Sequence, residues 1–172
     1  MNTVIGRALF CLLIIGSGIL QIITITTKIW HFTTPWYRSN ETIWGMDDFK
    51  NSVNYYKVGG IMISVSLFVH ALILLNMLLT IPRDRPVQTS VAMFRSSAIT
   101  FFAVGETISC IINTRVHADQ GSSSVGYVYL GISVGILVVA LIVGFITAHY
   151  MKKRIRPHWN QSNSGFILCV PY

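Results

Sequence analysis

Two ionisable side chains, His70 and Glu106, are the residues of this sequence best placed for chemistry, since each lies near the middle of a long apolar run. An imidazole and a carboxyl group that meet in such surroundings could share a proton, and each would lower the cost of burying the other. The alternative is that Glu106 is protonated and hydrogen-bonds a neighbouring hydroxyl or amide as part of helix packing. A proton or ion path normally requires more ionisable groups, and only Gln21 and Asn76 add to the polar groups considered for it.

Other kinds of reaction have no motif in this sequence. The histidines are dispersed, no His/Cys cluster has the spacing of metal ligands, and no phosphate-binding or nucleophilic motif is present. Of the three cysteines, Cys11 and Cys110 lie in apolar runs and Cys169 lies near the C-terminus, so we expect no structural disulfide. The sequence therefore predicts a protein that is not an enzyme and holds no metal or cofactor.

The composition is that of a membrane protein. The 172 residues are 52% hydrophobic and only 11% charged, which is too apolar for a soluble domain of this length. The formal net charge is +7, but the lysines and arginines flank apolar segments and form no patch interleaved with aromatic residues. Binding to nucleic acid is therefore not expected.

Four apolar runs predict membrane-spanning helices, at about residues 8–27, 58–81, 96–113 and 125–151. The first run is longer than the apolar core of a signal peptide and has no small-x-small cleavage site after it, so we expect it to be retained. Pro82 is expected to end the second. The third is the weakest prediction, because Glu106 interrupts it and Ser and Thr residues dilute it.

The basic residues predict the direction of the spans. With four spans, eight lysines and arginines fall on the inner side and five on the outer side, which by the positive-inside rule favours cytoplasmic termini. The inner residues are Arg7, Arg83, Arg85, Arg95, Lys152, Lys153, Arg154 and Arg156, and the outer ones are Lys28, Arg38, Lys50, Lys57 and Arg115. We expect one four-transmembrane domain over residues 1–172, in the plasma membrane, with 152–172 as a basic cytoplasmic tail.

The outer loop after the first span carries the most distinctive pattern. Trp30 follows the span directly, and Trp44 lies in the run Glu41-Thr42-Ile43-Trp44-Gly45-Met46. With these residues, and with the aromatic start of the fourth span at 126–131, the chain resembles the superfamily of claudins, peripheral myelin protein and epithelial membrane proteins. It looks like a short-loop member that lacks the family's pair of extracellular cysteines. The alternative for Trp30 is an interfacial anchor at headgroup depth.

The resemblance implies an all-α membrane protein, a left-handed bundle of four transmembrane helices with a small extracellular β-sheet cap drawn mostly from the first outer loop. It implies a non-enzymatic role through protein–protein or protein–lipid interaction, in cell adhesion at junctions, in membrane organisation or as an auxiliary subunit of a membrane complex. The partners would be membrane lipids and other membrane proteins or further copies of the chain. The alternative function is a small transporter or channel that uses His70 and Glu106.

Two features of the outer loop and the fourth span predict a modification and a contact. Asn40 begins the triplet Asn40-Glu41-Thr42, an N-glycosylation acceptor that would face the lumen during synthesis. Gly131 and Gly135 form a small-xxx-small face, which allows close approach of another helix. That helix would belong either to the same bundle or to another subunit.

The C-terminal region adds two further predictions. Lys152, Lys153, Arg154 and Arg156 form a basic cluster beside the membrane, of the kind that anionic inner-leaflet lipid attracts. The alternative is that the cluster only sets the orientation of the spans. Cys169 is a candidate for palmitoylation.

Overall fold

The structure is a computed structural model that describes residues 3–34, 37–43, 55–80, 86–116 and 125–164. Its elements, in chain order, are α1 (Thr3–Thr26), β1 (Trp30–Thr34), β2 (Tyr37–Glu41), α2 (Tyr55–Leu78), α3 (Pro86–Val116) and α4 (Val125–Ser164). Four stretches of these helices are long and apolar enough to cross a membrane, namely Thr3–Thr26, Val58–Leu78, Val87–Arg115 and Val125–Lys153. The prediction of a four-pass, helical membrane protein is therefore confirmed.

The third helix is longer than the sequence predicted. It begins at Pro86 rather than near residue 96, and proline suits the first turn of a helix because an N–H there would have no partner. Two of the serines that weakened the prediction are used in packing. Ser96 Oγ accepts a hydrogen bond from Asn76 Nδ2 at 2.8 Å, and Ser97 Oγ donates to its own helix at Met93 O at 2.9 Å.

The other helices also differ from their predicted bounds. The first begins at Thr3 rather than near residue 8, and the second covers Tyr55–Leu78 rather than 58–81. The fourth continues to Ser164, so the first part of the predicted tail is helical. Lys and Arg have high helix propensity, so the basic cluster does not end the helix.

Along each helix the buried residues recur mostly in steps of three and four. In α3 they include Met93, Ser96, Thr100, Ala103, Thr107, Cys110 and Thr114. A repeat of seven residues keeps one stripe of each helix against its neighbours along the whole length. Consecutive helices pack on each other, and α1 closes the ring against α4 more extensively than it packs against α2.

Most of the surface of each helix faces away from the bundle. Within the apolar window of every span, 33% of the residues are buried. Large apolar side chains cover the remainder, and Phe68, Phe101 and Phe102 are 64%, 67% and 68% exposed. An apolar surface of this extent requires hydrocarbon or protein partners around it, because water would drive it to aggregate.

The strands β1 and β2 form an antiparallel hairpin between the first two helices. In its register Trp30 lies opposite Glu41 and Thr34 lies opposite Tyr37. Among the residues that the structure describes, strand pairing is confined to these two strands, which is less than the β-sheet cap implied by the family resemblance. A hairpin alone is only marginally stable, so it needs support from the helices.

One glycine is required by the close packing of three helices. A Cβ at Gly144 in α4 would overlap Ser97 Oγ of α3 and lie 3.0 Å from Phe10 Cε2 of α1. Phe10 is fully buried, so its ring has little room to withdraw. The absence of a side chain at this position sets how closely α4 approaches the other two helices.

We expect Gly144→Ala to lower the free energy of unfolding by about 1–3 kcal/mol, the usual cost of overpacking a core. The matched control is Gly135→Ala on the same helix, where a Cβ meets nothing within 4 Å. The control should be neutral or slightly stabilising, because Ala has the higher helix propensity. Unfolding in mixed detergent micelles, followed by far-ultraviolet circular dichroism, measures both, and equal effects would contradict the packing of Gly144.

Candidate functional site

Six polar side chains meet at the centre of the bundle, with at least one from every helix. All six are at most 3% exposed. We refer to them as the central polar cluster, and they are Ser17 and Gln21 of α1, Ser66 and His70 of α2, Thr107 of α3, and Ser133 of α4. Each occupies a buried position of its helix, so hydrogen bonds replace apolar contacts at this level of the core.

His70 makes two hydrogen bonds that define its tautomer. Its Nδ1 atom lies 2.6 Å from Ser66 O, and its Nε2 atom lies 3.1 Å from Ser17 Oγ. Because a carbonyl oxygen can only accept, Nδ1 carries a proton and donates it. In the neutral ring, Nε2 is then the acceptor, and the Ser17 hydroxyl donates to it.

The direction of the next bonds follows from that donation. Ser17 Oγ lies 2.8 Å from Ser133 Oγ, and since Ser17 already donates to His70, Ser133 donates to Ser17. Gln21 Nε2 donates to Ser133 Oγ at 3.2 Å and to Thr107 Oγ1 at 3.0 Å. A continuous chain of donors therefore runs from the Gln21 amide through two serines to His70.

The cluster can accommodate either protonation state of His70. A charged ring would donate at both nitrogens, so Ser17 would have to turn its own proton toward Ser133. Ser133 would then have Ser17 O, at 3.4 Å, as its acceptor. Of the six side chains, only His70 is ionisable, so the cluster can reorganise around a proton but offers it no second ionisable site.

Glu106 is not a member of the cluster. It is partly exposed, whereas Thr107, the next residue of α3, is fully buried and bonded to Gln21. Successive residues of a helix point about 100° apart, so the two side chains face different directions. No hydrogen bond or ion pair joins Glu106 to His70, and the pair expected from the sequence does not form in the described structure.

Four hydroxyl residues of the cluster were not predicted from the sequence as its members, namely Ser17, Ser66, Thr107 and Ser133. A usable signal was present, because Ser17 and Gln21 are four residues apart, as are Ser66 and His70. Polar residues at this spacing lie on one face of a helix. Two such pairs in neighbouring apolar helices indicate a shared polar face, even though each serine alone is unremarkable for a membrane span.

Trp30 anchors the hairpin at the end of the bundle where α1 ends. Its side chain is fully buried, its ring packs edge-on against Tyr127 with centroids 5.3 Å apart, and its Nε1 donates to Thr24 O at 3.0 Å. The last carbonyls of a helix have no partner within the helix, so the indole N–H caps the end of α1. Trp30 is therefore a core residue of the described structure, and its position relative to the lipid headgroups stays a prediction.

The same apolar cluster holds the chain beyond the hairpin. Ile43 is fully buried and packs with Trp30, Ile63, Cys110 and Leu130. These contacts reach from the loop into three helices, α2, α3 and α4. The hairpin is thus attached to the bundle at both of its ends, by its first residue, Trp30, and by Ile43, which follows it.

Gly131 and Gly135 face outward from the bundle. Both are exposed, and an added Cβ at either position meets nothing within 4 Å. The first and fourth helices instead meet through Ser17 and Ser133. The internal alternative for the glycine face is therefore wrong, and association with another subunit stays a prediction.

The remaining predicted residues are placed only in part. Lys152 and Lys153 are exposed on α4, and the backbone of the helix continues through Arg154 and Arg156. Asn40 lies in β2 opposite His31. Trp44 and Cys169, the second family tryptophan and the candidate for palmitoylation, lie outside the described residues.

A comparison with models of known protein families found no match, and neither did a comparison with curated proteins. Any functional conclusion must therefore come from the residues and contacts of this chain. The two features that combine buried polar bonds with a defined geometry are the central polar cluster and the Trp30 anchor.

The hydrogen bond between His70 and Ser17 should appear as a coupling energy in a double-mutant cycle. We expect His70→Leu and Ser17→Ala to be coupled by about 0.6 kcal/mol, and by at most about 1.7, which is the range for hydrogen bonds between membrane helices. The cycle His70→Leu with Glu106→Gln is the matched control and should give no coupling. Unfolding in mixed micelles measures both cycles, and coupling to Glu106 instead of Ser17 would contradict the arrangement.

The helix cap made by Trp30 can be tested separately. Trp30→Phe keeps an aromatic ring but leaves Thr24 O without its donor, and we expect the free energy of unfolding to fall by about 1–3 kcal/mol. Thr26→Val is the control, since it removes a donor to Ile22 O on the exposed side of the same helix end. Its expected effect is within about 0.5 kcal/mol, and a similar loss in both variants would show that the buried cap is unimportant.

Proposed function

We propose that this chain is a claudin-like, non-enzymatic tetraspan membrane protein that acts by protein–protein or protein–lipid interaction. Its role would be cell adhesion at junctions, membrane organisation or service as an auxiliary subunit of a membrane complex. The observation that carries the proposal is the Trp30 anchor, which joins the outer hairpin to the helix bundle through a buried ring and a capped helix end. It lies where the resembled family has its first loop tryptophan.

A hairpin held in this way is suited to recognition. A binding element that is already ordered loses little conformational entropy when a partner binds, so more of the contact energy remains as affinity. The anchor also ties the hairpin to α4 through Tyr127. A partner that binds the hairpin outside the membrane could therefore also affect the helices, because the hairpin is attached to them.

The proposal includes the left-handed bundle, the extracellular position of the hairpin and the cytoplasmic termini. The seven-residue repeat of buried positions supports the left-handed supercoil, because such a repeat is slightly shorter than two turns of a straight helix. The exposed Lys152 and Lys153 at the end of the fourth span support a cytoplasmic C-terminus in the plasma membrane. With this topology Asn40 is available for glycosylation.

The transporter alternative lacks a comparable observation. It was based on a pair formed by His70 and Glu106, but His70 bonds to Ser66 and Ser17 instead. The bonds of the central polar cluster join helices to one another, which is how polar side chains stabilise packing inside a membrane. The cluster therefore favours a structural role for His70 within an interaction protein.

The proposal can be tested by proximity labelling on intact cells with quantitative mass spectrometry. Replacing Tyr37, Arg38 and Ser39 of β2 with alanine should reduce the labelling of specific extracellular neighbours by about tenfold or more, the loss expected when a central contact worth about 1.4 kcal/mol or more is removed. The control Gln88→Ala changes an exposed, uncharged residue at the opposite end of the bundle and should keep these neighbours.

Glu106→Gln separates the two candidate functions. An interaction protein should retain its neighbours with this variant, whereas a transporter using Glu106 should lose flux in reconstituted vesicles. The proposed function would be wrong if the wild type and the β2 variant labelled the same neighbours. If flux also depended on Glu106, transport would be the better conclusion.

A further inference from the structure

An open groove lies between α3 and α4 at the basic end of the bundle. Its volume is about 1180 Å³, and its walls are mainly apolar. Its walls include Val91 and Phe94 of α3, and Phe145, Ile146 and Lys152 of α4. The two helices touch at the base of the groove, where Ser90 Oγ donates to Ala148 O at 3.3 Å.

The groove has an aromatic end and a cationic end. Phe94 and Phe145 pack edge-on with ring centroids 5.6 Å apart, and both remain exposed, at 56% and 38%. Lys152 follows Phe145 by seven residues, which is about 10 Å along a helix axis. The aromatic pair lies toward the middle of the span, and the ammonium group lies toward the membrane surface.

The positive charge of Lys152 at the mouth of the groove has few acidic residues near it in the sequences of α3 and α4. The fourth helix contains no Asp or Glu, and the third contains only Glu106. Glu106 follows Phe94 by twelve residues, about 18 Å along the helix. The short segment before α3 adds Asp84 between Arg83 and Arg85, so its net charge is also positive.

We propose that this groove binds an anionic phospholipid of the cytoplasmic leaflet, with an acyl chain against Val91, Phe94 and Ile146 and the headgroup phosphate or carboxylate at Lys152. A ligand that is apolar at one end and anionic at the other matches the two ends of the groove. A second copy of the chain fits less well, because it would bring the same uncompensated Lys152 to the contact. The proposal deepens the proposed function and rests on its topology, since Lys152 must reach the inner membrane surface.

The experiment uses the full-length chain in vesicles of phosphatidylcholine with or without phosphatidylserine. Each lipid is supplied in turn as a photoactivatable probe with a diazirine on its acyl chain, present in both leaflets. Mass spectrometry then compares labelling of the groove with labelling of a control surface at the same end of the bundle. The control surface consists of Val4, Ile5, Leu78 and Leu79, which are 60–68% exposed and do not line the groove.

We expect the ratio of groove labelling to control labelling to be about fivefold higher for phosphatidylserine than for phosphatidylcholine. That factor corresponds to about 1 kcal/mol for one basic side chain at an anionic membrane surface. Lys152→Gln should abolish this preference, so that the ratio of groove to control labelling is about the same for both lipids. Lys153→Gln, an identical change at the neighbouring exposed residue that does not line the groove, should keep most of the preference.

A second variant tests the apolar wall. Val91→Trp places a large ring in the groove and should reduce its labelling by both lipids several-fold, without changing labelling of the control surface. If the wild type gave the same ratio of groove to control labelling for both lipids, the proposal would be overturned. It would also be overturned if Lys152→Gln and Lys153→Gln reduced the preference for phosphatidylserine equally, because surface charge alone would then explain the preference. Because the probe is in both leaflets, these outcomes do not depend on the orientation or partners of the protein in cells.

Discussion

The requirement that polar groups find their partners within the protein governs this structure, because hydrocarbon offers them none. The backbone satisfies it by forming four long helices. In the central polar cluster it is met between helices by the bonds of His70 and of the Gln21 amide nitrogen to hydroxyl groups on their neighbours, while Gln21 Oε1 has no hydrogen-bond partner in the described structure. Since every helix contributes a member, a rotation of any one of them would leave buried donors or acceptors without partners. The cluster therefore sets the rotation of each helix about its axis.

On either side of this polar level the packing is apolar and close. Toward the basic end, Phe10 packs against α4 where Gly144 has no side chain. Toward the other end, Trp30 fills the top of the bundle and caps the first helix. The hairpin depends on this second contact, since two strands without a supporting core would be marginal. The order of the hairpin is thus a consequence of its packing against the helix bundle.

This interior leaves the outer surface for interaction. The bonds of the central polar cluster hold its side chains within the bundle, and the chemistry proposed from the sequence for a His70–Glu106 pair has no geometric basis here. The parts of the described structure that face outward include the apolar faces of the helices and the groove with Lys152 at its mouth. Each of these surfaces is suited to a protein or lipid partner.

The sequence alone determined the number of membrane spans and their order, because hydropathy and length are properties of each segment by itself. It also identified Trp30 and His70 as unusual residues, and it indicated their depth. Only the tertiary structure decided what they contact. Residues that follow one another on a helix differ by about 100° in direction, and this is why Thr107 joins the cluster while Glu106 does not. The direction in which each side chain points depends on how the four helices pack against one another, and that packing is a property of the assembled bundle.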